Sequence, residues 1–128
     1  MKTISILVTC MTFVLLSVTS CYYDVEEELY RNTTCDTSNV LFSSQVSLIL
    51  KTECLDCHST TNAAVLGGGI GLEGYTNVKG YVDNGKLLAS IVHDGNASFM
   101  PKSANNEMLA SCDIAQITAW INAGALNN

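Results

Sequence analysis

Cys54-Leu55-Asp56-Cys57-His58 is the segment whose residue types and spacing can do chemistry. With six cysteines and two histidines in 128 residues, a Cys-x-x-Cys-His run arises by chance only roughly 0.004 times in a chain of this composition. Two thiols three positions apart at a helix end can add across the two vinyl groups on one edge of a haem, and the adjoining imidazole then sits beneath the iron as proximal ligand. Two other chemistries use the same residue types. A zinc site would take Cys54, Cys57 and His58 with another thiol, but the candidates are distant in sequence and the glycine-rich loop after the motif would have no role. A thioredoxin-like pair wants its cysteines at a helix N-terminus after a strand, whereas here they follow a helix.

A haem held this way needs a sixth ligand or an open iron face. Met100, 42 residues after His58 in Phe99-Met100-Pro101, can bring a thioether to the distal side, because the following Pro fixes an extended loop rather than a helix. A lone Met can instead be core filler, which is the reading for Met108, directly ahead of the terminal helix with Leu109. His93 is the competing ligand and would give a bis-histidine haem; otherwise it lines the crevice or hydrogen-bonds there.

The elements that must position these groups read as short helices. Phe42, Val46, Ile49 and Leu50 share one helical face, with Ser43 or Ser44 available as the cap and an end near Cys54. Ser59 to Gly74 carries five glycines, too many for a regular element, and reads as a loop passing close to something bulky. Tyr75, Val78, Tyr81 and Val82 mark a helix stopped by Asn84-Gly85, and Leu87, Leu88 and Ile91 mark another before Gly95. The last helix has Ser111 as expected N-cap, Asp113 in its first turn, and a stripe of Ile114, Ile117, Trp120 and Ile121 closing at Gly124. No alternating β pattern and no internal repeat occur. The expected fold class is all-α.

The ends of the chain carry other information. Residues 1–20 hold Lys2 and an apolar run from Ile4 to Leu16, too short for the roughly 20 residues of a spanning helix and matching an export signal. Val18-Thr19-Ser20-Cys21 resembles the lipobox of bacterial lipoproteins, which implies lipid on Cys21; the alternative is a plain secretory signal. Cys10 would be lost with the signal. Residues 21–38 form an acidic tether, with Asp24, Glu26, Glu27, Glu28 and Asp36 opposed only by Arg31. Such acid-rich residues also resemble the surface-export signals of some bacterial lipoproteins. Residues 39–128 are the expected globular domain. Net charge is −6, and the six basic residues are scattered singly, which excludes a nucleic-acid binder.

The motif, Leu72 to Tyr75 ahead of a helix, Met100-Pro101, and Leu109-x-x-Cys112-x-Ile114-x-x-Ile117-x-x-Trp120-Ile121-x-x-Gly124-Ala125 together resemble small monohaem c-type cytochromes, of class I-like domain and bacterial lipoprotein type. The likeness covers nearly the whole mature chain. It implies a cytochrome c-like fold of four to five short helices and Gly-rich loops around one covalent haem c, with Phe42, Val46 and Ile49 packed on Ile117, Trp120 and Ile121. It also implies thioethers at Cys54 and Cys57, His58 as proximal iron ligand and Met100 as distal ligand. After Met-Pro the family often has another Pro or a Gly-rich run, whereas Lys102-Ser103-Ala104-Asn105-Asn106 follows here. Cys35 and Cys112 remain, and in an oxidising compartment they are expected to pair, the alternative being two buried free thiols. The implied function is single-electron transfer without catalysis, on the periplasmic side or outer membrane, held by lipid and docking redox partners that carry a basic patch. The alternatives are a haem sensor or small peroxidase with Met100 displaced, and a haem-free lipoprotein with Cys54 bonded to Cys57.

Overall fold

The structure, a computed structural model, describes residues 35–102, 105 and 107–128. The signal segment 1–20, Cys21 and the tether up to residue 34 lie outside the described residues. Cys35–Asn128 form one compact unit. Among the described residues the regular structure is entirely helical: α1 Ser47–Glu53, entered through a π-helical turn at Phe42–Val46, α2 Leu55–His58, α3 Tyr75–Asp83, α4 Lys86–Val92 and α5 Ser111–Asn122. None of these is long and apolar enough to cross a membrane.

The apolar stripes seen in the sequence become the core. Val46, Val78, Ile117 and Trp120 are completely enclosed, and Phe42, Ile49, Leu50, Leu72, Leu87, Ile91 and Leu109 close around them. The chain entering α1 lies against α5: the Phe42 ring is 5.5 Å from that of Trp120 and meets Tyr75 edge-on at 5.2 Å. Edge-on aromatic contacts of this kind add to what burial alone contributes.

Three expected details are different. Ser43 and Ser44 do not cap the first helix, and Ser111 does not cap α5; Leu41 and Ala110 occupy those positions without side-chain cap bonds. The entry to α1 is capped from the other end of the chain, where Asn128 accepts the Phe42 N–H on Oδ1 and the Ser43 N–H on its main-chain oxygen, both at 2.9 Å. Two donors that a helix start leaves orphaned are thus satisfied at long range. Met108 is not core filler: it is 56% exposed, while its neighbour Leu109 turns inward.

The C-terminal tail also holds the aromatic residues. Tyr75 donates its hydroxyl to Ala125 O at 2.9 Å, and Trp120 donates its indole N–H to Leu126 O at 2.8 Å. Tail and helices are therefore one packing unit.

Cys35 and Cys112 form a disulfide with a Cα–Cα distance of 5.5 Å across a sequence separation of 77. It ties the start of the described chain to the first turn of α5, and Gln116 Nε2 adds a bond to Asp36 O at 3.2 Å. Both half-cystines are oxidised, so neither is a free thiol. Closing a loop of this length stabilises by about 4.5 kcal/mol on the chain-entropy model, an upper figure because residual structure in the unfolded chain lowers it. The Cys35→Ser/Cys112→Ser double variant is accordingly expected to unfold at markedly lower denaturant than the oxidised parent. A midpoint unchanged in urea titrations followed by circular dichroism would count against the staple.

Candidate functional site

The motif begins where α1 ends. Cys54 carries the break between α1 and α2, with φ −124° and ψ −38°, and its carbonyl accepts the N–H groups of Cys57 at 3.2 Å and His58 at 2.9 Å. One tight turn thereby puts both thiols and the imidazole at a single place. Cys54 is half-buried and Cys57 exposed, and both are free thiols. Burial pushes the Cys54 thiol up to about 11, with the neighbouring Glu53 charge acting in the same direction. A thiol that stays protonated at neutral pH lacks the thiolate character of a redox cysteine, whose pKa is lowered.

His58 is the only buried polar residue among those described, 8% exposed. Its Nδ1 lies 2.8 Å from Ile70 O. Since a carbonyl can only accept, Nδ1 carries the proton and Nε2 is left as the ring nitrogen with a free lone pair. This is how an imidazole is prepared as a metal ligand, its far nitrogen fixed and its orientation set by a backbone acceptor. The main chain closes the same loop, His58 O accepting Leu72 N–H at 2.8 Å.

Gly67 explains why the loop after the motif is rich in glycine. A Cβ there would stand 2.7 Å from Cys57 O and 2.9 Å from His58 Nδ1, so any side chain would displace the motif or the loop. The bulky object that the loop passes is the Cys57-His58 turn itself. Gly68 and Gly69 serve a different need, with φ of 61° and 80°, where residues with a Cβ are strained.

Cys54, Cys57, His58 and Met100 share one cleft of about 750 Å³. That is the size of a pocket for a large prosthetic group. Its walls come from α2, α4 and the loop around Met100, and include the apolar Ile70, Leu72, Leu87, Ile91 and Leu109. A flat, apolar ring system with polar substituents suits such a lining. Met100 is half-buried, and its N–H donates to Ser90 O on α4 at 3.0 Å.

No family model, curated protein or solved structure matches the chain. The functional reading rests on the site.

His93 is not part of the cleft wall. Its Nε2 lies 3.0 Å from Met100 O and its ring stacks on Phe99 with centroids 4.5 Å apart. The one hydrogen bond of its side chain in the structure therefore goes to the Met100 main chain and not into the cleft. Among the described residues no three His, Cys, Asp or Glu side chains are grouped to hold a metal ion. With Cys35 and Cys112 bonded to each other, no further thiol among the described residues is free to join Cys54 and Cys57 in a four-ligand zinc site. The acids Glu53, Asp56, Glu73 and Asp94 are exposed; Glu73 accepts Thr60 N–H and Asp94 accepts Asn96 N–H, loop-tying roles that leave them on the surface.

Sequence reasoning found the motif and Met100 but not the residues that prepare them. Ile70 acts through its carbonyl, which has no side-chain signature. Gly67 had a signal, its place in the glycine run, without a sign of which glycine mattered.

Proposed function

We propose that the protein is a one-electron carrier of the small cytochrome c kind, with a covalent haem c at Cys54 and Cys57, His58 as proximal ligand and Met100 as distal ligand. The observation that carries the reading is the single cleft that joins two free thiols, a buried imidazole with its Nδ1 engaged, and a thioether. Each thiol would add S–H across a vinyl C=C, forming a C–S and a C–H bond with no net change of oxidation state. When bound, the haem supplies a reversible iron(III)/iron(II) couple, which His/Met ligation moves to positive potential.

The protein's own residues do the rest. Ile70 O holds His58 in one tautomer and one orientation. The apolar walls at Leu72, Leu87, Ile91 and Leu109 would keep water from a haem held in the cleft and so limit the solvent reorganisation of its redox change. No side chain is needed as acid, base or nucleophile, and the protein is read as a carrier, not an enzyme. Cys57, Asp56 and Glu53 are exposed on the rim of the cleft, and a haem bound there would present this edge to a partner. That rim suits a partner with a basic patch and an association rate that falls with salt. The disulfide fits an oxidising compartment, and lipid on Cys21 would tether the domain at a periplasmic or outer-membrane surface.

The test is the absorption spectrum and intact mass of protein made in a host that matures c-type haem. A red protein heavier by one haem, with a weak ferric band at about 695 nm, is expected, since that band reports Met on iron. The Met100→Ala variant is expected to lose the band and to shift to a lower reduction potential. Protein without haem would sink the reading, and a high-spin ferric spectrum in the parent would turn it toward a sensor or peroxidase.

A further inference from the structure

We infer that His93 is a positioning residue, a clamp that holds the Met100 main chain against the end of α4 so that the thioether faces the cleft; this rests on Met100 being the distal ligand. His93 follows α4 in the left-handed conformation, φ 55° and ψ 41°. For a residue with a Cβ this backbone is strained, and it persists only where surrounding contacts fix it. Nε2 donates to Met100 O at 3.0 Å, the acceptor again fixing which nitrogen carries the proton. On its other side the ring lies nearly parallel to Phe99, at an interplanar angle of 12° and a centroid distance of 4.5 Å.

Met100 is consequently held by both of its peptide groups. Its N–H donates to Ser90 O, and its C=O accepts from His93, so two bonds from one end of one helix bracket one residue. Phe99, the residue before it, is 37% exposed and stacks on the imidazole from outside the cleft. Withdrawing the Met100 main chain from the cleft would require Met100 O to leave His93 and the Phe99 stack to open. His93 thus biases the distal loop toward the ligated arrangement from outside the cleft wall.

The experiment uses the haem-loaded full chain and measures reduction potential, the band at about 695 nm and the affinity of added imidazole for ferric haem. His93→Asn keeps a residue that tolerates the left-handed backbone but is too short to reach Met100 O. His93→Gln keeps an N–H donor of longer reach. Loss of one such hydrogen bond is worth roughly a threefold to tenfold change in an equilibrium. His93→Asn is therefore expected to bind imidazole about threefold to tenfold more tightly, with a weakened band and a lower potential, and His93→Gln to recover much of the parent behaviour. If His93→Asn fails to fold, Phe99→Ala, which removes the stack and leaves His93 in place, is expected to move the same readouts in the same direction. A folded His93→Asn, or in its place Phe99→Ala, with parent-like potential and imidazole affinity overturns the clamp alone. A parent protein that binds haem but shows no Met band overturns both the clamp and the ligand assignment.

Discussion

Replacing Cys54 and Cys57 together with serine is expected to yield a chain that carries no haem through denaturing electrophoresis, where the parent stays stained. Each single replacement should retain one thioether and part of the stain. The reasoning is chemical: serine matches the size of cysteine but its hydroxyl does not form the thioether, so the bond is removed while the turn at Cys54 is preserved. A second consequence follows from packing. The cleft of about 750 Å³ is walled by Leu72, Leu87, Ile91 and Leu109, buried residues that the prosthetic group would complete as a core. A domain this small has little apolar surface to spare. The double variant should therefore also lose thermal stability relative to the loaded parent. Retained stain in the double variant would show that haem is attached elsewhere.

Trp120→Ala is expected to cost about 3–5 kcal/mol, the range for deleting a large buried aromatic side chain. Trp120 is 1% exposed, packs against Phe42 and donates its indole N–H to Leu126 O. The whole stability of a small domain is about 5–15 kcal/mol, so this one change removes a large part of it. Trp120→Phe separates the contributions: most of the burial stays and the indole bond is lost, at about 1–3 kcal/mol if Leu126 O is left without a partner. Since the chain has a single Trp, far-UV circular dichroism rather than fluorescence must follow urea unfolding. A Trp120→Ala midpoint within error of the parent would mean that the tail does not pack on α5 as described.

Much of the molecule was legible in the sequence because its signals are local. The spacing of Ile117 and Trp120 needs only a 3.6-residue period to put both inside. The Cys-x-x-Cys-His run needs only one turn to converge. Gly85 marks a stop because its φ of 74° suits glycine, and α4 ends before Gly95 as expected, although its left-handed cap is His93 and not the glycine. Cap assignment failed for Ser43, Ser44 and Ser111 because a side chain is one of several acceptors a helix start can use. At Phe42 a nearer claim came from Asn128, which lies 86 residues away in sequence. Met108 and Leu109 show the same limit: two adjacent apolar residues leave a loop on opposite sides, and only the surrounding surface decides which one turns inward.

By itself the sequence determined the helical class, the expectation that Cys35 pairs with Cys112, and the residues that the proposed chemistry uses. Those depend on residue type and short-range spacing. Only the tertiary structure decided what holds those residues ready. Ile70 O fixes His58, Gly67 makes room beside it, and His93 with Ser90 brackets Met100. The tail from Ala125 to Asn128 ties Tyr75, Trp120 and the entry to α1. Most of these are hydrogen bonds accepted by main-chain carbonyls, and a backbone carbonyl carries no mark in the sequence of the donor it will meet once the chain has closed.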